Sequence, residues 1–358
     1  MLVFIHAESC RSDSALNIFM PSLSKRDRAA LLGNRLGLTR LLEAAPRRNC
    51  LIVLNYHRIG DARTSQYDSA VFSATAEDFE TQVAHLRRYY NVVSLDEAVA
   101  SLLNPGWNAA SRILITFDDG YLDNYTTAFP ILKAHGLSAV FFLCTAYVGS
   151  AIIPWWDQIA YIVRNANKHV LRIDYPDAHE FDLTAGVDSA IVRILKIFKS
   201  PATKDPRRMI AALESAAEVA SPVGSERTFL NWDEAAEMLK GGMSIGSHTH
   251  THRLLEKLPF EEQLQELATS KKLLEERLRT EVISLAYPVG GATAYSRITM
   301  DAAAELGYKA AFSYYGGFNY PGRTDKFDIR RNAVDSDTTF FRFRFQLALG
   351  TVSGKYWI

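Results

Sequence analysis

Arg112-Ile113-Leu114-Ile115-Thr116-Phe117-Asp118-Asp119-Gly120 is the stretch that decides the fold. An apolar run this short, bounded by a turn signal, predicts a strand buried on both faces, as in a parallel sheet covered by helices. It runs directly into two acids and a glycine, so polar groups sit at the strand's carboxyl end. The same unit recurs on either side. Upstream, Leu51-Ile52-Val53-Leu54 leads into Tyr56-His57-Arg58, and a polar loop then passes Gln66 and Asp68. Thr75, with Asp78 three residues on, caps a helix whose Phe79, Val83 and Leu86 share one face. Residues 92 to 95 read as a second short strand. Downstream, a helix through Phe129, Leu132 and Lys133 precedes a strand at 139 to 143. Further strands are expected near 243 to 245, 282 to 286 and 310 to 313, with helices at 261 to 279 and 297 to 306. Leu264, Leu267, Ala268, Leu274 and Leu278 form the buried face of the longer helix.

Repeated strand, loop and helix units predict an α/β chain, either a barrel or an open sheet. The rhythm breaks between about 150 and 228, which reads as an inserted, mostly helical subdomain. The expected organisation is a helical N-terminal extension over 1–48, a barrel with its insertion over 49–330, and a C-terminal tail over 331–358 packed on the barrel.

The chain has 358 residues with 40 Lys+Arg against 40 Asp+Glu. A zero net charge argues against a nucleic-acid partner, which needs a clustered basic excess, and against adhesion to an anionic membrane through bulk charge. With 48% hydrophobic residues the chain can bury a large core. Three scattered cysteines, Cys10, Cys50 and Cys144, make no disulfide framework or zinc knuckle and read as reduced, buried thiols. The first residues lack a basic leader followed by a long apolar run, and the most apolar stretch, 137 to 148, is too short to span a bilayer. No integral membrane segment and a cytoplasmic location are therefore expected, with a place at the periphery of the cell envelope as the alternative. No oligomeric state follows from the sequence.

Three segments at strand ends carry chemistry, on the face where parallel barrels place their sites. In Asp118-Asp119-Gly120 the adjacent acids cannot both point the same way, so one is free to bind a metal while the other handles protons. In Ser247-His248-Thr249-His250-Thr251-His252, three of nine histidines fall within five residues. On a helical turn His248 and His252 share a face at the spacing two imidazoles need for one cation, and His250 points away; on a strand all three share a side. The flanking residues suggest a loop entering a turn. Ala286-Tyr287-Pro288-Val289-Gly290-Gly291 is a strand entering a tight turn. Two imidazoles and a carboxylate make a catalytic zinc set with positions open for water, and a second carboxylate beside them can take a proton.

TFDDG, HTHTH in the form H-T-x-x-H, and YPVG resemble the first three motifs of the polysaccharide deacetylase family, carbohydrate esterase family 4, also described as the NodB-homology domain. The resemblance covers roughly residues 50 to 330. It implies a distorted (β/α)7-type barrel that hydrolyses N-acetyl groups from N-acetylglucosamine-type units of a poly- or oligosaccharide, using metal-activated water. By that resemblance Asp118 is the base, and Asp119, His248 and His252 hold the metal. Zn²⁺ is the expected cation, and Co²⁺, Ni²⁺ or Mn²⁺ suit the same ligands.

Two departures stand out. The arginine that orients the base in many members is replaced by Ala286, which leaves Arg330 and Arg331 as candidates. No histidine follows His252, so the general acid falls to His57, as in the exopolysaccharide and poly-N-acetylglucosamine deacetylase-like branch. Tyr287, Pro288, Tyr121 and Trp232 are the expected substrate-binding residues, with Trp155 and Trp156 also near the motif loops; the Tyr287 backbone N–H is the expected oxyanion donor. The partner is an N-acetylated glycan. Competing readings are a deacetylase of peptidoglycan or of a small-molecule amide, and a catalytically silent glycan-binding barrel in exopolysaccharide synthesis.

Overall fold

The computed structural model describes residues 24–45, 48–107 and 110–353. Cys10 and the rest of the first 23 residues of the expected N-terminal extension lie outside the described residues.

Eight parallel strands build the main sheet: β1 (Leu51–Tyr56), β2 (Asn91–Val92), β3 (Arg112–Phe117), β4 (Val140–Leu143), β5 (Ser244–Ser247), β6 (Ser284–Ala286), β7 (Ala310–Phe312) and β8 (Arg331–Ala333). Seven of them follow one path, β7-β6-β5-β4-β3-β1-β8, with β2 pairing beside the start of β3. The two ends of the path meet. Phe312 bridges Ile329, the Ser313 N–H donates to the Ile329 carbonyl at 2.9 Å, and the sheet becomes a nearly closed seven-stranded barrel wrapped by helices.

Period-2 alternation divides this barrel into layers. Ile52, Leu54, Ile113, Ile115, Phe117 and Phe141 point outward and pack with Phe79, Val83, Leu86, Leu132, Leu267 and Leu274 from the covering helices. Leu51, Val53, Leu114, Val140, Phe142, Ala286 and Phe312 point inward, and the helix Leu95–Leu103 adds Leu95, Ala98, Val99 and Leu102 to that interior. Two and four residues beyond Leu114 on the same face come Thr116 and Asp118. The apolar filling thus gives way to polar groups at the carboxyl ends, because the alternation that buries Leu114 also turns Asp118 inward.

Most strand and helix expectations match, with local shifts. Thr75 does cap its helix, accepting from the Asp78 N–H at 3.1 Å. The expected strand at 92–95 ends early because Ser94 forms a reciprocal capping box with Glu97 and starts a helix. The boundary at 330 is also displaced: residues 331–333 pair with β1 and belong to the barrel, and only the helix Phe340–Ser353 packs outside. The insertion holds helices Trp155–Arg164, Val187–Lys199 and Pro206–Ala217, and also an antiparallel hairpin of Val170–Ile173 with His179–Asp182. It has its own core, in which Ile159, Ile162, Phe181, Ile194 and Leu213 join Tyr121, Cys144 and Phe229 of the barrel. Cys50 and Cys144 are free and buried. Among the described residues no helix is long and apolar enough to cross a membrane.

Gly246, in the strand that delivers the histidines, is fixed by close packing. A Cβ there would lie 2.5 Å from the Phe142 ring and 2.7 Å from Ser284 Oγ. Gly246→Ala is expected to lower stability by about 1–3 kcal/mol, the cost of overpacking a filled interior, read as a shift of the urea midpoint at unchanged slope.

Candidate active site

Two strand ends converge on one buried cluster. Asp119 follows β3, while His248 and His252 follow β5. One side-chain ligand atom from each falls within 4.8 Å of the others, and all three residues are buried. The imidazole Nε2 atoms lie 3.4 Å (His248) and 3.3 Å (His252) from Asp119 Oδ1. That oxygen accepts no hydrogen bond although it is buried, the condition of a ligand atom aimed at a shared cation. His248 Nδ1 lies 2.8 Å from the Ala286 carbonyl, which can only accept; Nδ1 therefore carries the proton and the Nε2 lone pair faces the cluster. Burial pushes the His248 imidazole down to about 4, so it is neutral and able to ligate near pH 7.

The loop gains this geometry without a helical turn. Thr249 and His252 both have left-handed backbone, at φ 65° and 58°. Glu266, from the helix Phe260–Leu278, accepts from the His250 N–H at 3.0 Å and the Thr251 N–H at 2.7 Å and pins the turn. His250 points out of the cluster, with Nδ1 2.9 Å from Thr145 Oγ1.

Asp118 lies beside the cluster and is held by a different partner. Arg331 on β8 donates from Nη1 to Oδ1 at 2.6 Å and from Nη2 to Oδ2 at 2.8 Å. It also donates to Asn55 Oδ1 at 2.6 Å and from Nε to the Ser313 carbonyl at 2.9 Å. Burial alone would raise the Asp118 carboxyl; Arg331 and His248 outweigh it and hold the group well below the usual carboxylate range. The Asp118 carboxylate is therefore ionised throughout the neutral range. Of the two candidate arginines, Arg331 is the one that meets it. His57 stands at the end of β1 with Nε2 3.9 Å from Asp118 Oδ2, partly exposed, and edge-on to Tyr314 at 5.8 Å.

A single pocket joins these groups, lined by His57, Asp118, Asp119, His248, His252, Trp155, Trp156 and Val289 together with Asp68, Lys199 and Tyr314. The polysaccharide deacetylase profile matches residues 108–173 and 180–311, more than half of the chain. The chain belongs to the polysaccharide deacetylase family. Among curated proteins it is 24% identical over 260 residues to the polysaccharide-deacetylase-type protein YxkH of Bacillus subtilis (strain 168). That match takes in 72% of this chain and 62% of the relative, so the chain spans about three fifths of that relative's length. Among solved structures, IcaB from Ammonifex degensii is similar at 20% identity and TM-score 0.55, over 85% of this chain and 99% of that one. The Streptococcus pyogenes deacetylase PplD, in complex with acetate, is similar at 19% identity and TM-score 0.53, over 82% and 98%. Both share the barrel fold of the family.

Within this family frame, four expected substrate contacts move to other roles. Tyr287 is fully buried and stacks on Tyr295 at 4.0 Å, and its hydroxyl donates to the Phe327 carbonyl at 3.0 Å. Its backbone N–H donates to the Phe312 carbonyl at 3.1 Å, so sheet pairing occupies the expected oxyanion donor. Pro288 is buried and does not line the pocket; Val289, at φ 64°, is the residue of this turn that does. Tyr121 is fully buried against Phe229, and its hydroxyl accepts from Trp156 Nε1 at 2.8 Å. It thereby braces Trp156, whose ring lies 4.6 Å from that of His252. Trp232 packs partly against the outer core under Arg277, away from the pocket.

The sequence reading missed Asp68, Lys199 and Asp157, which come from a polar loop and from the insertion. Asp157 lies behind Trp156, and its Oδ1 accepts from the Asp68 N–H at 3.0 Å. Burial pushes its carboxyl up to about 7, with Arg58 partly opposing.

Two predictions follow from these contacts. Arg331→Lys keeps a positive charge but loses the paired fork, and is expected to lower kcat by about ten- to a hundredfold at similar KM and unchanged metal content, measured by steady-state kinetics and elemental analysis. Asp157 binds its proton more tightly in the folded than in the unfolded chain. It therefore costs stability as pH rises from about 4 towards 7, and the cost is complete above that window. Asp157→Asn should raise the stability of the chelated protein by roughly 1–4 kcal/mol at pH 8 and by much less at pH 5, measured by urea unfolding at both.

Proposed function

We propose that the chain is a metal-dependent N-deacetylase that removes acetyl groups from N-acetylglucosamine-type units of a poly- or oligosaccharide. The observation that carries this reading is the meeting, in one pocket, of the Asp119, His248 and His252 ligand atoms with an ionised, arginine-held Asp118 and with His57. Zn²⁺ is the proposed cation, and Co²⁺, Ni²⁺ or Mn²⁺ fits the same donors. A bound cation supplies Lewis acidity, acidifying water and polarising the amide carbonyl.

The side chains supply the rest. Asp118 is ionised and takes the proton from the attacking water, while Arg331 keeps both its carboxylate oxygens in place. His57 gives a proton to the leaving amine, because a deacetylated nitrogen leaves readily only as an amine and not as its anion. The Val289 backbone, in the turn where Tyr287 was expected to serve, is the proposed donor to the developing oxyanion. Trp155 offers a partly exposed ring for a sugar face, next to Trp156. The resemblance of the barrel to deacetylases and the use of His57 support a glycan of the exopolysaccharide type over a small-molecule amide.

The test is acetate release from N-acetylglucosamine oligomers. Metal removal by chelation should abolish it, and a stoichiometric divalent cation should restore it. His57→Ala and Asp118→Asn should each lower turnover by about 10²–10⁴-fold while leaving bound metal intact by elemental analysis. Acetate release that survives complete chelation, or a His57→Ala variant that keeps most of its turnover, sinks the corresponding assignment. No acetate from any N-acetylated glycan with metal bound would favour the silent glycan-binding barrel.

A further inference from the structure

The balanced charge of the whole chain conceals a local imbalance. The helices Lys25–Arg35 and Leu38–Ala44 carry five bases, Lys25, Arg26, Arg28, Arg35 and Arg40, and two acids, Asp27 and Glu43. All five bases are on exposed residues. Both acids face the protein. Asp27 accepts from Thr339 Oγ1 at 2.9 Å and lies 3.5 Å from Arg342; Glu43 meets Arg344 at 2.7 Å and His85 at 3.4 Å. The buried side of the first helix is made of small residues, Ala30 and Gly33, the latter directly under the Phe345 ring.

Large apolar side chains point the other way. Leu36 is 73% exposed, Leu41 69%, Leu32 56% and Leu38 44%. Four of the twelve large apolar side chains left exposed among the described residues therefore fall between Leu32 and Leu41, along two short consecutive helices and the turn that joins them. Lys25, Arg28, Leu32 and Leu36 recur at helical spacing on one outer stripe, with Arg35 beside it. The half-exposed Phe341 lines the neighbouring groove with Leu31 and Arg35, and Asp78 and Asp337 on its other side mark where the basic face ends.

We propose that this helical pair docks the enzyme on an anionic phospholipid surface, with the leucines entering the interface and the basic side chains meeting lipid phosphates. Apolar groups flanked by an unbalanced set of exposed bases suit such a surface, where the two terms reinforce each other. A second copy of this chain would bring two basic faces together, and the like charges would oppose that contact. The proposal concerns the extension outside the family-matched region, so it stands or falls separately from the catalytic reading.

Flotation of the full chain with vesicles of phosphatidylcholine alone and of phosphatidylcholine with 30% phosphatidylglycerol tests it. Binding is expected only to the anionic vesicles, falling about tenfold or more between low and 0.5 M salt. Leu32→Glu/Leu36→Glu/Leu41→Glu and Lys25→Gln/Arg28→Gln/Arg35→Gln should each abolish flotation while keeping the thermal midpoint and the turnover on soluble oligosaccharide. No flotation of the full chain overturns the proposal, as does flotation that both variants retain. A concentration-dependent dimer in sedimentation equilibrium that the leucine variant alone abolishes would assign the face to a second copy instead.

Discussion

The pairing of Asp118 with Arg331 is the interaction on which the arrangement of the site depends. It joins the end of β3 to β8, the last strand, which pairs with β1 on one side and borders the seam with β7 on the other. Both side chains are buried, so each would be costly alone, and removing one member of such a pair typically costs about 3–5 kcal/mol. The guanidinium satisfies four acceptors at once: both Asp118 oxygens, Asn55 Oδ1 and the Ser313 carbonyl. Asn55 in turn donates to Asp118 Oδ2 at 3.2 Å, and Thr116 Oγ1 completes the layer with contacts to Asn55 Oδ1 and the Leu54 carbonyl. The same guanidinium therefore holds Asp118 and, through the Ser313 carbonyl, spans the seam between β7 and β8.

This explains which parts were legible in the sequence. Strands β1, β3 and β4 are continuous apolar runs because both their faces are buried, and the ligands sit within a few residues of strand ends, so local pattern located them. Arg331 is different. Its role depends on pairing with a residue more than two hundred positions away, and nothing in Asp328-Ile329-Arg330-Arg331 tells which arginine faces inward; only the register of Val53 against Arg331 decides it. The aromatic assignments failed for a related reason. Tyr287 and Tyr121 lie inside motif loops, but large rings beside a site are as useful for bracing it as for touching a ligand, and burial rather than sequence position separates the two roles. Asp68 and Lys199, which line the pocket, and Asp157 behind it had no local signature at all, because loop and insertion residues come to the site only through tertiary packing.

The backbone supplies a further constraint. Asp119, Thr249, His252 and Val289 all adopt left-handed conformations without being glycine, and all four belong to the loops that follow β3, β5 and β6 around one pocket. Such conformations typically cost of order 1–3 kcal/mol each, and they persist only where surrounding bonds determine the chain path. Here those bonds are present: the Glu266 carboxylate holds two N–H groups of the histidine turn, Ser247 Oγ accepts from the Thr249 N–H, and Thr249 Oγ1 accepts from the His252 N–H, both at 3.2 Å. The strain is therefore borne by hydrogen bonds outside the ligand set, which leaves the ligand atoms themselves, including Asp119 Oδ1, without competing partners. A site built this way is organised before a cation arrives, so cation binding need not supply the energy to shape the loops.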